Sequence, residues 1–265
     1  MFHKLELRPE QIDIWKLFAD RSATIGVRGA YSAEIFADIG IHNVEMIGCP
    51  SLFRANDPFL RLQPKPIDDV HKVLFSLRRE ISESYTNDVA RYLSIQKRVI
   101  LELAQRFDLT VSVHGEAAEK VFFYRDEELM PHHQQELIES GWFCDRNDPL
   151  IGVYRERLFY NETVAQFDEM VARQDLALGF RVHGNLPALA RGVPAICVDY
   201  DSRSRELADH FDIPIIRLDE LDAEPFDALY QPARFDRFNA AFTDNYRRMS
   251  AFLDRNGMSH NMLSV

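Results

Sequence analysis

Short apolar runs alternate with segments whose apolar residues recur at helical spacing, and this alternation restricts the chain to a parallel α/β sheet. Val73-Leu74-Phe75-Ser76-Leu77 has the length and composition of a strand, and Val89, Tyr92, Leu93, Gln96, Val99, Ile100 and Leu103 follow at helix period. Thr110-Val111-Ser112-Val113 is the next strand. After a less regular stretch, Val164, Phe167, Met170 and Val171 mark a helix, and Leu176-Ala177-Leu178-Gly179-Phe180 reads as a strand. Leu186, Leu189 and Ala190 form a helix face closed by Gly192, with Pro194 as a stop before the strand Ala195-Ile196-Cys197-Val198. A helix bearing Leu207, Ala208 and Phe211, a strand Pro214-Ile215-Ile216, and a last helix bearing Phe235, Phe238, Phe242, Met249 and Leu253 complete the pattern. The expected architecture is a doubly wound parallel sheet over about residues 68–220, followed by a helical extension over 221–265.

Ahead of it lie Ala23-Thr24-Ile25-Gly26-Val27, a helix through Ile35, Phe36 and Ile39 ending at Gly40, and a strand Val44-Glu45-Met46-Ile47. These predict a small α/β layer over residues 1–55, and the Pro-bearing stretch 56–67 reads as the linker. So few elements bury little surface, so this layer should expose an apolar face or be covered by the C-terminal helix.

With 46% hydrophobic and 28% charged residues among 265, the chain has material for a substantial core. Its apolar runs fall short of the ~18 residues of a membrane span, and no apolar stretch follows a basic segment at the start, so a cytoplasmic protein is expected. A net charge of −11 argues against sequence-independent nucleic-acid binding, which needs Lys and Arg to neutralise phosphates. Cys49, Cys144 and Cys197 are far apart and read as reduced, mostly buried thiols, with no zinc or redox spacing. Asn161-Glu162-Thr163 fits a glycosylation acceptor but reads better as a helix start.

In a parallel sheet the strands end on one edge, and ligands bind in the crevice beyond it. Those ends carry Arg78-Arg79, His114-Gly115-Glu116, Arg181-Val182-His183-Gly184 and Asp199-Tyr200-Asp201. Polar residues at strand ends also occur simply because strands end in solvent. The Arg181–Asn185 segment places a guanidinium, an imidazole and a glycine at a strand-to-helix junction, where helix N–H groups suit a phosphate or carboxylate. Arg181 would clamp a planar anion, Gly184 would admit it to the backbone, and His183 would exchange protons. His132-His133 reads as a solvated loop. G-x-S-x-G, H-E-x-x-H, P-loop and G-x-G-x-x-G patterns do not occur.

The run Leu178-Gly179-Phe180-Arg181-Val182-His183-Gly184, through Ala188-Leu189-Ala190-Arg191-Gly192-Val193-Pro194-Ala195-Ile196 to Asp199-Tyr200-Asp201-x-Arg203, resembles the signature of the polysaccharide pyruvyl transferase family. A second block, Gly26-Val27-Arg28-Gly29 through Ser32 to Gly48-Cys49-Pro50-Ser51-Leu52, is similar to the close of that family's N-terminal lobe. The likeness is thin between Glu119 and Tyr160. It implies a two-lobed fold like the GT-B glycosyltransferases, here a C-terminal lobe with a partial N-terminal one, and a site between lobes. It also implies phosphoenolpyruvate as donor, a sugar or lipid-linked oligosaccharide as acceptor, at most peripheral membrane association, and neither cofactor nor metal. The reaction it implies is pyruvyl ketal formation in bacterial exopolysaccharide or cell-surface polysaccharide synthesis. On this resemblance the family's Arg-x-His motif falls on Arg181 and His183 and a donor-binding arginine on Arg78; joined with the strand-end residues, Arg78, Arg181, Gly184, His114, Tyr200 and Arg203 are expected to meet the donor, His183 to be the acid/base group with Glu116 as a second base, and Arg28 to face the cleft. A nucleotide-sugar glycosyltransferase using the same cleft, and a non-catalytic binding remnant, stay open at this point.

Overall fold

The computed structural model describes residues 7–81, 86 and 88–265, except the side chains of Ser202 and Arg203. Among these residues the first sheet is a parallel pair, β1 (Ile25–Val27) and β2 (Val44–Met46), with α1 (Pro9–Arg21) before it and α2 (Ala30–Asp38) between the strands. The second sheet contains β3 (Lys72–Ser76), β4 (Asp108–Val113), β5 (Leu158–Tyr160), β6 (Leu176–Gly179), β7 (Ala195–Asp199) and β8 (Ile215–Arg217), all parallel. Helices connect them: α3 (Val89–Arg106) after β3; α4 (Ala117–Tyr124), α5 (Met130–Glu139) and α6 (Pro149–Glu156) after β4; α7 (Val164–Val171) after β5; α8 (Val182–Ala190) after β6; α9 (Ser202–Phe211) after β7. Two short helices, α10 (Leu218–Ala223) and α11 (Phe226–Leu229), lead into the long α12 (Asp236–Arg255).

The large sheet runs β5-β4-β3-β6-β7-β8 in space. The chain enters at its middle, builds outward to β5, then returns to the other side of β3, and this reversal opens a crevice beyond the carboxyl ends of β3 and β6. Helices cover both faces, so β3 and β6 are apolar and buried almost throughout rather than alternating. Ser76 of β3 pairs with both Gly179 of β6 and Ser112 of β4, which brings Arg78, Arg181 and His114 out at one level of one edge.

Elements absent from the sequence expectation fill the thin stretch: α4, α5, α6 and the short, half-buried edge strand β5. His132 and His133 are corrected from a loop to α5, where both reach Glu136, at 3.3 and 2.6 Å. Thr163 does start a helix, its hydroxyl accepting from the Gln166 N–H while the Gln166 side chain accepts from Thr163.

The boundaries expected at 56–67 and 221 do not divide the core. Leu60 and Leu62 are buried, Asn239 of α12 bonds the Leu62 N–H (2.8 Å) and carbonyl (3.0 Å), and Thr243 bonds the Pro58 carbonyl (2.9 Å). The stretch read as a linker is a packed strap. On α12, Phe238, Phe242, Tyr246 and Met249 are buried in the same apolar cluster as β3 and β6, so the helix completes the core rather than extending it. Each such side chain contributes roughly 1.5–3 kcal/mol by leaving water.

The small layer has a separate cluster, Val27, Phe36 and Ile41. The end of α12 covers one side of it: Phe252 reaches Gly26, Arg255 pairs with Glu45, and Asn256 accepts from the Thr24 N–H at 3.2 Å. Its other side is α1, which buries no residue and exposes Ile14, Leu17 and Phe18, while Trp15 packs edge-on against Phe36 at 4.9 Å. Both outcomes expected for an under-filled layer are therefore present.

Candidate functional site

The β3 end is held by α3. Gln96, fully buried, accepts from the Arg78 N–H (2.9 Å) and donates to the Arg78 carbonyl (2.9 Å), and the Tyr92 hydroxyl donates to the same carbonyl (3.1 Å). With its backbone fixed, Arg78 places its guanidinium 5.5 Å from the centre of the Tyr200 ring, a cation–π distance. Tyr200 in turn packs on Tyr92 (5.1 Å) and Phe180 (6.1 Å), so β3, β6, β7 and α3 meet behind the crevice.

Across the crevice, Arg181 Nε donates to the Leu77 carbonyl at 3.0 Å and Nη2 pairs with Glu116 Oε1. A guanidinium has five N–H donors, and these bonds use two. Burial, then the charge of Arg78, hold the Arg181 pKa below the ordinary arginine value, so two cations share one crevice. Glu116, expected as a second base, is held on both oxygens. Its Oε1 is taken by Arg181 and its Oε2 accepts from the His114 N–H at 3.1 Å, so it orients the arginine.

Gly184 also serves packing. A Cβ there would stand 1.8 Å from Ser76 Oγ and 3.2 Å from His114 Nε2, so glycine is needed for α8 to close on β3. Its N–H bonds the Arg181 carbonyl at 2.9 Å rather than facing a ligand. Pro187, inside α8, lacks the N–H that would meet the His183 carbonyl. Arg28 sits half-buried beyond the end of β1, and the N-terminus of the neighbouring α2 is tied to α9 by the Tyr31 N–H on Glu206 Oε1 at 2.8 Å. Asp199 pairs with Arg205, and Asp201 caps α9 through the Ser204 N–H at 2.7 Å. The Arg203 side chain lies outside the described residues.

The segment after β2 brings in residues the sequence did not nominate. Gly48, at φ +69°, presses on Phe211, and a Cβ would lie 2.1 Å from that ring. Beyond it a 3-10 turn, Pro50–Phe53, buries Leu52 and Phe53 in the main core, and Arg54 pairs with Asp168, which also binds Arg191 at 2.6 Å. Between these anchors Cys49, half-buried rather than buried, faces His183, with Sγ 3.9 Å from Nε2 and 3.0 Å from Ser51 Oγ. Partial burial pushes this thiol up, but the hydrogen bonds and charge of His183 and the bonds of Ser51 outweigh it and hold its pKa at about 7.

His114 is exposed to water, with its Nε2 edge turned to the backbone at Gly184. Crowding and then the charges of Arg181 and His183 lower its pKa from 6.5 to about 4. The unfolded chain therefore takes up a proton between pH 6.5 and 4 that the folded chain refuses. Stability is fully present above 6.5 and falls as pH drops through this window. Solvent screening at the exposed edge limits the loss to about 1–2 kcal/mol. Urea unfolding of wild type and His114→Asn between pH 4 and 7 should show a shallower slope for the variant; parallel slopes would refute it.

A groove of about 830 Å³ beside α5, lined by Phe122, Arg125, Met130, Ile138, Arg146 and Arg155 among others, holds none of the strand-end residues. Among the described residues no three His, Cys, Asp or Glu side chains are grouped to hold a metal ion, and no helix is long and apolar enough to cross a membrane.

Fold and site together define a parallel α/β protein with a cationic crevice at the sheet's switch point, bordered by a second strand layer. The chain belongs to the polysaccharide pyruvyl transferase family, whose model matches residues 2–202. No curated protein matches the sequence. Among solved structures, one described as a UDP-N-acetylglucosamine 2-epimerase from Listeria monocytogenes is similar at TM-score 0.49 and 13% identity, over 94% of this chain and 64% of that one. A UDP-forming α,α-trehalose-phosphate synthase from Burkholderia xenovorans is similar at TM-score 0.47 and 12% identity, over 97% of this chain and 68% of that one.

Proposed function

We propose that this chain transfers pyruvate from phosphoenolpyruvate to a sugar or lipid-linked oligosaccharide as a cyclic ketal, in the bacterial cytoplasm, during exopolysaccharide or cell-surface polysaccharide synthesis. The observation that carries the reading is the convergence of Arg78 and Arg181 at the switch point of an otherwise acidic protein. Phosphoenolpyruvate presents a phosphate and a carboxylate, and paired guanidiniums suit both. The enol methylene accepts a proton, and the adjacent carbon becomes electrophilic. One sugar hydroxyl adds there and loses its proton; a second displaces phosphate and closes the ring. No electrons change hands. His183 is the proton-exchanging group, and Arg78, Arg181 and the N–H groups of Val182 and His183 at the start of α8 hold the anion.

Calorimetric titration with phosphoenolpyruvate, with a nucleotide-sugar as control, tests this. Arg181→Ala should weaken donor binding by about 1.5–3 kcal/mol, roughly 10- to 100-fold in Kd. Arg181→Lys, which keeps the charge opposite Glu116 but loses the two-point fork, should fall between. Preference for the nucleotide-sugar, or binding indifferent to both substitutions, would overturn the reading.

A further inference from the structure

We propose that Cys49 and His183 form a proton-sharing thiol–imidazole pair, and that Cys49 is thereby a covalent modification site for soft carbon electrophiles at the mouth of the crevice. The two residues are 134 positions apart and come from different sheet layers, so their approach depends on the way the layers dock.

The approach is built from several fixed points. Gly48 is pressed on Phe211, Leu52 and Phe53 are in the main core, and Arg54 is locked to Asp168. Cys49 therefore has little freedom to leave His183, which is the second residue of α8, while Ser51 Oγ stands 3.0 Å from the sulfur on its other flank. Among the described residues, the titratable and charged groups around the sulfur are few. His183 approaches from α8; His210, at the end of α9, lies against Gly48; Arg54 is engaged by Asp168. A sulfur held by an imidazole and a hydroxyl ionises more readily than an isolated thiol, and the thiolate is the nucleophile.

The other two cysteines lack this arrangement. Cys197 is buried, and burial raises its pKa to about 11. Cys144 is exposed and sits 3.0 Å from Lys97 Nζ, remote in sequence from both sheet layers' contact, so it is an internal reference.

In the modifying step the Cys49 thiolate attacks the methylene carbon of the electrophile, a carbon–sulfur bond forms, and the halide leaves with the electron pair of the broken bond. The proton displaced from sulfur rests on the His183 imidazole and passes to solvent. The sulfur is alkylated, and no external oxidant or reductant takes part.

The test is the rate of alkylation by iodoacetamide between pH 5.5 and 9.5, read peptide by peptide by mass spectrometry on the full chain without donor. Cys49 is expected to follow a midpoint near 7. His183→Asn should move that midpoint up toward the ordinary thiol range, slowing alkylation at pH 7 by about tenfold, while Cys144 keeps its rate. Cys197 reports folding, since it stays unreactive only while buried; if His183→Asn fails that check, His183→Gln is measured instead. A Cys49 midpoint at or above 8.5 in the wild type, or one that neither substitution moves, would overturn the proposal. Because no phosphoenolpyruvate is present, failure here and failure of the pyruvyl transfer reading remain distinguishable.

Discussion

Glu119→Ala is expected to lower the unfolding free energy by about 3–5 kcal/mol, because it removes one partner of a buried ion pair. The carboxylate is fully buried on α4. Arg79 meets both its oxygens, Nε on Oε1 at 2.6 Å and Nη2 on Oε2 at 3.0 Å, and the buried Tyr154 hydroxyl of α6 donates to Oε1 at 3.0 Å. Alanine would leave the buried phenol without an acceptor and the guanidinium with only the exposed Glu80 carboxylate, 3.7 Å away, and that desolvation cost exceeds the pair's own attraction. Glu119→Gln, which keeps an acceptor for Tyr154, should lose less. Urea unfolding of both variants gives the answer; a change below about 1 kcal/mol for alanine would show that water or rearrangement satisfies the stranded groups.

How much of this was legible in the sequence depends on whether a feature is local. Strands β3, β6 and β7 are near-continuous apolar runs because helices cover both their faces, β4 alternates as Asp108-Leu109-Thr110-Val111-Ser112-Val113, and each was expected within a residue or two. The edge strand β5 is only Leu158–Tyr160 and half-buried throughout, so it carries no such run. Helix α1 has Ile14, Leu17 and Phe18 on its surface, so its apolar residues do not mark a buried face. Arg78, His114 and Arg181 could be nominated because a parallel sheet gathers its carboxyl ends regardless of strand order. What each does could not. That Gln96 grips the Arg78 backbone is set when α3 packs back on β3, 18 residues on, and that Glu116 serves Arg181 and Gly184 makes room for Ser76 are contacts 65 and 108 residues apart, fixed only when β6 returns beside β3. Cys49 is the extreme case, since its partner is set by the docking of one layer on the other.

That geometry also divides labour within the crevice, which leads to the sharpest expectation for the proposed reaction. Guanidiniums stay protonated at any working pH, so Arg78 and Arg181 can hold an anion but cannot trade protons with it. Glu116 has both oxygens engaged. His114, with its pKa near 4, is neutral at physiological pH and has no proton to give as an imidazolium. The exposed imidazole of His183, at the first turn of α8 beside Arg181, is left to protonate the enol methylene, with Cys49 as its neighbour. His183→Ala is therefore expected to lower kcat by about 10²–10⁴-fold. Donor affinity should change by no more than about threefold, since the anion's principal ligands remain. Arg181→Ala should do the reverse, raising Kd more than it lowers kcat. Single-turnover rates and phosphoenolpyruvate titrations of both variants, with the acceptor saturating, separate the two effects. If His183→Ala weakened donor binding as much as it slowed turnover, the imidazole would be a phosphate ligand rather than the proton carrier.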